Sequence, residues 1–306
     1  MAEMLNGKVA IVTGSGRGIG RGIAKLMAAE GASVVVVDPG VNVDGSGADT
    51  SVAQQVVDEI KAAGGNAVAC MESVTTMEGG EKIVQTAVEN FGKLDIVVTC
   101  AGILRDRMIF NMSEEEWDDV IAVHLKGTFT VVKNACILMR QQRSGCIITF
   151  SSESGLVGNS GQANYGAAKS GIAGFTKVVA KDMGRYGVTV NSIAPRAQTR
   201  MIADIPDSAR EIRARSGVAP ISGEEQLTSL DPDHIAPFVC YLATDFAENI
   251  NGQIFLVYGD TISLMSQPRP QKSIYETSGT WNLEKLSPMA RDVLTKDIYN
   301  PAPARE

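Results

Sequence analysis

Short, β-branched apolar runs alternate with amphipathic stretches along most of this chain, and that alternation constrains its fold more than any other feature. Lys8–Thr13 reads as a buried strand, Ile19–Glu30 as a helix with Ile19, Ile23, Leu26 and Met27 apolar, and Ser33–Asp38 as a second strand. The succession continues with strands over Ala67–Cys70, Leu94–Thr99, Cys146–Phe150, Thr189–Ile193 and Gln253–Val257. Between them the spacing predicts helices over Val52–Ala63, Glu81–Phe91, Glu114–Arg140, Ala163–Tyr186 and Pro232–Thr244. Strands that are apolar on both faces, each followed by a helix, require crossover connections and a parallel sheet covered on both sides. The expected architecture is a single doubly wound α/β domain of the Rossmann type over residues 1–259. The Gly-rich Pro39–Ala48 reads as a loop. The Pro-rich 260–306 reads as an arm laid over the core or a neighbouring subunit, with a short helix within Leu283–Lys296.

Composition removes several classes of function. A net charge of −7 argues against a sequence-independent grip on nucleic acid. No stretch approaches a membrane span, and the N-terminal residues lack a basic region followed by an apolar run and a cleavage site. The five cysteines show no metal-ligand spacing or disulfide framework, so a reducing, cytoplasmic setting without a metal site is expected. Only His124 and His234 are histidines, so acid–base chemistry has to rest on other groups.

Between the first strand and first helix lies Thr13-Gly-Ser-Gly-Arg-Gly-Ile-Gly20, where a dinucleotide-binding fold needs glycine. Gly14 suits the sharp turn, Gly18 the approach of backbone to a pyrophosphate, and Gly20 close helix packing. Ser15, Gly16, Arg17 and Ile19 complete the loop. A helix start presents unpaired N–H groups to phosphates. Asp38, ending the second strand, suits ribose hydroxyls and repels a 2′-phosphate, which favours NAD over NADP. Arg17 argues the other way, since a guanidinium pairs well with such a phosphate.

Tyr165 and Lys169 lie four apart in an expected helix and so share a face, while Ser152 ends the fifth strand before a Gly-rich loop. A tyrosine with its ordinary pKa near ~10 is a poor base at neutral pH, and a neighbouring ammonium lowers that value. A serine hydroxyl can hold an oxygen on which negative charge develops. An isolated Tyr-x-x-x-Lys is more often an ordinary helix-surface pair. Its combination with Ser152 and the glycine loop turns the balance towards chemistry.

With Ser152 thirteen residues before Tyr165, Tyr165-Gly-Ala-Ala-Lys169 and the glycine loop, residues 8–259 resemble the short-chain dehydrogenases/reductases. The resemblance implies a seven-stranded sheet and an NAD(P)-dependent alcohol–ketone oxidoreductase, as a homotetramer or dimer. It implies that Tyr165 exchanges the proton, Ser152 holds the substrate oxygen, and Lys169 tunes the phenol and binds the ribose. Gly102-Ile-Leu-Arg-Asp-Arg107, Val123-His-Leu-Lys-Gly127, Gly158-Asn-Ser-Gly-Gln-Ala-Asn-Tyr165 and Ile193-Ala-Pro-Arg-Ala-Gln-Thr-Arg-Met201 are similar to the (3R)-hydroxyacyl-CoA dehydrogenase domain of the peroxisomal multifunctional enzymes. A 3-hydroxyacyl-CoA substrate follows from that likeness. Single-domain bacterial relatives keep a steroid or alicyclic alcohol open.

On the same resemblance, His124 stands at the family's catalytic asparagine, whose role runs through its backbone carbonyl. Thr99-Cys100-Ala101-Gly102 replaces the usual Asn-Asn-Ala-Gly. Glu72, Ser73 and Val74 fall near the adenine, and Pro195 and Thr199 near the nicotinamide; Arg196 replaces a usual glycine. Residues 196–230 would form a lid. Its Arg196, Arg200, Arg210, Arg213 and Arg215 face an anionic substrate or form ordinary surface ion pairs. Met108, Ile109, Leu156, Val157, Met201 and Ile202 are candidates for an apolar substrate channel or for core. A non-catalytic dinucleotide sensor on the same fold is the rival of another class, and it has no use for Ser152, Tyr165 and Lys169.

Overall fold

The computed structural model describes residues 3–197, 231–277 and 279–299. Strands β1 (Val9–Thr13), β2 (Ser33–Val37), β3 (Asn66–Cys70), β4 (Ile96–Thr99), β5 (Gly145–Phe150), β6 (Val188–Pro195), β7 (Ile254–Tyr258) and β8 (Thr261–Leu264) form one sheet. Their order is β3-β2-β1-β4-β5-β6-β7-β8. The first seven strands are parallel, as expected. β8 is an addition, pairing antiparallel to β7 through Tyr258↔Thr261 and Phe255↔Leu264. The resemblance implied seven strands and put 260–306 outside the sheet. The tight turn at Gly259–Asp260 instead folds Thr-Ile-Ser-Leu back on β7, and at that edge one face suffices for burial.

Alternate strand residues feed two cores. Ala10, Val12, Val34, Val36, Ile96, Val98 and Ile148 pack under α1 (Gly18–Ala29), α2 (Ser51–Ala62) and, further along, α8 (Ala236–Leu242). Ile11, Val35, Val37, Val97, Ile147 and Val190 pack under α3 (Met77–Phe91), α5 (Gly127–Gln142) and α7 (Ala163–Gly184). Two-sided burial explains why these strands read as unbroken apolar runs.

Helix α3 starts at Met77, earlier than its apolar spacing suggests, because the Thr76 hydroxyl caps it by accepting from the Gly79 N–H at 3.0 Å. The expected helix over Glu114–Arg140 is broken in its middle. α4 (Glu114–Ile121), with a Ser113–Glu116 capping box, passes through a wide π-type turn at Ala122–Lys126 into α5. Taken whole, Glu114–Gln142 is long and apolar enough to cross a membrane, which the sequence did not lead us to expect; 44% of its most apolar window is buried within the protein.

The strand order reverses between β1 and β4, and both neighbours send their chains away on opposite faces there. A crevice opens at that point beyond the carboxyl ends of the strands.

Candidate active site

The C-terminal ends of β1, β2, β4, β5 and β6 frame one cleft of about 500 Å³. At one end is the glycine turn. Gly14 has φ +66°, and a Cβ there would lie 2.7 Å from the Ala101 Cα, so the turns after β1 and β4 meet backbone to backbone. The Thr13 hydroxyl ties them together, accepting from the N–H groups of Cys100 (3.1 Å) and Ala101 (3.2 Å). Gly14, Arg17, Gly18, Ile19 and Gly20 face the cleft, as do Cys100, Ala101 and Gly102 opposite. This backbone-walled cradle at the start of α1 fits a pyrophosphate.

Asp38 also lines the cleft, and its carboxylate is fixed by two backbone donors, Gly16 N–H at 2.9 Å and Gly40 N–H at 2.8 Å. Arg17 turns to the loop after β2, its Nη1 donating to the Val41 carbonyl at 3.3 Å. That loop, whose lining role was not anticipated, contributes Val41, Asn42, Val43 and Gly45 to the wall. The Leu104 N–H pins it by donating to Val43 O at 2.9 Å.

Three of the expected cofactor residues do not face the cleft. Ser15 is fully buried and joins β1 to β2: its hydroxyl donates to Val12 O at 2.6 Å and accepts from Val37 N–H at 3.0 Å. Gly16 serves through its bond to Asp38. Glu72 turns outward to Lys82 at 3.7 Å, leaving Ser73, Val74 and Thr75 on the cleft. Thr199 lies outside the described residues, as do Arg200, Met201, Ile202, Arg210, Arg213 and Arg215.

Ser152, Tyr165 and Lys169 converge at the other end. Ser152 is the N-cap of α6 (Glu153–Leu156), its Oγ accepting from the Ser154 N–H at 3.2 Å, and it also hydrogen-bonds the Tyr165 phenol. Tyr165 is set on α7 by Asn164, which is fully buried. Asn164 donates to Arg105 O and Glu116 O, at 2.9 Å each, and accepts from the Tyr165 N–H. Lys169 donates to Phe150 O at 2.6 Å, with its Nζ 5.5 Å from the Tyr165 ring centroid. Burial pushes the phenol up to about 12, opposed by the Ser152 hydrogen bond; burial also brings the Lys169 ammonium down to about 8. An ammonium was expected to pull the phenol below its ordinary value. Desolvation outweighs it here, with the ammonium engaged by a backbone carbonyl.

His124 sits in the π-type turn at 2% exposure, edge-on to Tyr165 at 5.1 Å between centroids. Its Nε2 is 2.7 Å from Ile103 O and 3.1 Å from Ile103 N, while the buried Nδ1 has no hydrogen-bond partner. Burial first, and the Lys169 charge second, push it down to about 3, so the imidazole is neutral near pH 7. Arg196 is a latch. It pairs with Glu153, Nη2 at 2.7 Å and Nε closer, and lies over the Tyr258 ring at 4.9 Å. Pro195 faces the cleft. Met108 packs beside Gly161, and Ile109 and Val157 are largely exposed.

The lining residues Ser154, Asn159 and Gln162 were not anticipated. The signal for them was present in the polar run Gly158-Asn-Ser-Gly-Gln-Ala-Asn ahead of Tyr165, which leaves amides to be satisfied beside an apolar helix.

Comparison with known proteins agrees with this geometry. Residues 8–209 match the family model described as short chain dehydrogenase. A hydroxyacyl-CoA dehydrogenase of Mycobacterium tuberculosis is 41% identical over 300 residues, covering 94% of this chain and 89% of that protein. The mouse peroxisomal multifunctional enzyme type 2 is 41% identical over 252 residues, 82% of this chain but 32% of that enzyme. The crystal structure of a short chain dehydrogenase from Mycobacterium avium superposes with a TM-score of 0.80 at 43% identity, covering 98% of each chain. This chain is therefore an oxidoreductase that works with a nicotinamide dinucleotide, and it belongs to the short-chain dehydrogenase family.

Proposed function

We propose that this enzyme interconverts a secondary alcohol and a ketone with NAD, on a (3R)-hydroxyacyl-CoA or a substrate of similar bulk. The observation that carries the proposal is the convergence of Ser152, Tyr165 and Lys169 at one end of a cleft whose other end is the glycine cradle and Asp38. The bound dinucleotide would supply the hydride acceptor or donor. Gly14–Gly20 backbone would hold its phosphates, Asp38 its adenosine ribose, Ser73 and Val74 the adenine side, and Tyr165 and Lys169 the second ribose. Asp38, held in place as a carboxylate acceptor by two backbone N–H groups, and Arg17, turned to Val41, support NAD over NADP.

Tyr165, protonated at neutral pH, gives its proton to the oxygen of a ketone in reduction and takes one from the alcohol in oxidation. Ser152, already bonded to the phenol, stabilises charge on that oxygen. Lys169 places positive charge beneath the phenol. His124, neutral and buried, contributes position and not a proton. The name of the M. tuberculosis relative supports the acyl-CoA substrate. Exposed Phe129, Ile137 and Val178 on α5 and α7 support a homo-oligomer, and unpaired Cys70, Cys100, Cys136, Cys146 and Cys240 support a reducing, cytoplasmic setting. Residues 1–259 would then be the catalytic unit, 196–230 its lid and 260–306 an extension beginning with β8.

The test is an NADH absorbance assay with 3-hydroxyacyl-CoAs, hydroxysteroids and cyclic alcohols. Turnover of an acyl-CoA supports the proposal; turnover confined to a free alcohol overturns the substrate class. Replacing Tyr165 by Phe should abolish turnover, and unchanged rates would leave a dinucleotide sensor as the better reading.

A further inference from the structure

Asp106, on the segment after β4, has no part in the roles above, yet a directed chain of hydrogen bonds runs from it to Ser152. Gln162 is 6% exposed, and its Nε2 donates to Asp106 Oδ2 at 2.9 Å. A carboxylate only accepts, so the amide nitrogen must face Asp106 and Oε1 must face the opposite way. There Oε1 accepts from the Ser154 hydroxyl at 2.7 Å and from Asn159 Nδ2 at 3.0 Å. Ser154 in turn donates its backbone N–H to Ser152 Oγ. With that lone pair engaged, the Ser152 proton is directed away from α6, and the Tyr165 phenol is there to meet it. The backbone holds the two segments in step: Arg107 N–H donates to Gly161 O at 2.8 Å, and Asn164 grips Arg105 O.

We propose that Asp106 is a positioning residue that, through Gln162 and Ser154, sets the direction in which Ser152 presents its hydroxyl to Tyr165 and the substrate oxygen. The inference rests on the assignment of Ser152 and Tyr165 made above. It has an electrostatic companion, because the Asp106 carboxylate and the Cys100 thiol both hold the phenol up, against the pull of Ser152. Lys169 and the neutral His124 are the other ionisable groups packed on that ring. Asp106→Asn keeps the volume, removes the charge and frees the Gln162 amide to reverse.

The experiment is steady-state oxidation with NAD by the full-length enzyme, using whichever alcohol of the panel turns over, with D106N, Q162M and the double variant. Melting curves and NADH fluorescence titration accompany each. We expect kcat to fall about tenfold or more in each single variant, with no further fall beyond about twofold in the double, because both act along one path. KM for NAD stays unchanged, and in D106N the Tyr165-dependent limb of the pH profile moves to lower pH. Losses that multiply, an effect confined to KM for NAD, or an unmoved pH limb would overturn the proposal. Should D106N fail to fold, Ser154→Ala tests the last link: it removes only the hydroxyl bonded to Gln162, and an unchanged kcat there overturns the proposal too. Tyr165→Phe separates the two levels. If it retains turnover the site assignment itself fails, whereas a dead Tyr165→Phe beside a fully active D106N refutes Asp106 alone.

Discussion

Replacing Lys169 by Met should stabilise the cofactor-free protein while disabling it. Lys169 is 5% exposed, and burial lowers its ammonium from the ordinary 10.5 to about 8. At about 1.4 kcal/mol per pH unit, keeping that ammonium charged costs the fold roughly 3 kcal/mol at any pH where folded and unfolded chains both hold the proton. Between pH 8 and 10.5 the folded protein has released a proton that the unfolded chain still binds. The cost therefore fades as pH rises, and stability climbs through that window. Methionine fills nearly the same space without charge but leaves Phe150 O short of a donor, a loss of about 1 kcal/mol. The net gain is about 2 kcal/mol at pH 7, a few degrees in melting midpoint, and it shrinks to nothing or reverses near pH 10.5. Circular-dichroism melts of both proteins at half-unit steps of pH check this, since their difference cancels every other titration. Turnover should fall by about a hundredfold or more. A Met variant that melts lower at pH 7, or a difference that stays flat with pH, refutes the reasoning.

Three further outcomes follow from local geometry. Gly102→Ala puts a Cβ 2.4 Å from His124 Cε1, and Ile103 and Tyr165 bar the ring's retreat. The cost should be about 1–3 kcal/mol, visible as a lowered melting midpoint, and His124→Ala should relieve most of it. Asp38→Asn should lower the NADH-over-NADPH preference in kcat/KM by about tenfold or more, since it removes the charge that a 2′-phosphate would meet. His124, depressed from 6.5 to about 3, is neutral when folded but protonates below about 6.5 when unfolded. Its contribution to stability is present above pH 6.5 and is lost as pH falls towards 3. Histidine NMR should therefore show one of the two imidazoles still neutral at pH 5.

The parallel strands, both sheet faces and the glycine turn were legible because each is a local pattern imposed by burial. Val34–Val37 must be apolar on both sides, and Gly14 must take positive φ against Ala101. β8 was illegible for the opposite reason. Thr-Ile-Ser-Leu is too short and too evenly alternating to separate from a loop, and only the adjacent edge of β7 makes it a strand. The break at Ala122–Lys126 was hidden as well, because a π-type turn changes the phase of a helix without changing its composition.

The site divides along the same line. Tyr165, Lys169 and Ser152 stood out because a helical period and a strand end place them without reference to distant residues. Asp38 was visible as a charge at a strand end, though not the two N–H groups that hold it, since these come from Gly16 and Gly40. Gln162 and Asp106 are fifty-six residues apart in sequence and adjacent in space, so no period links them. A buried amide next to a catalytic tyrosine still implies partners, because leaving one unsatisfied costs about 1–3 kcal/mol. Gln162 and Asn164 were thus evidence of a supporting network before any partner had been found. The same reasoning assigns a structural duty to Glu153, which holds Arg196 in an ion pair beside the cleft and keeps a bulky cation, at a position where relatives carry glycine, engaged with α6 and β7. Departures from a family pattern are in this sense readable in pairs: Arg196 is intelligible only with Glu153 and Tyr258, and His124 only with Gly102 and Ile103.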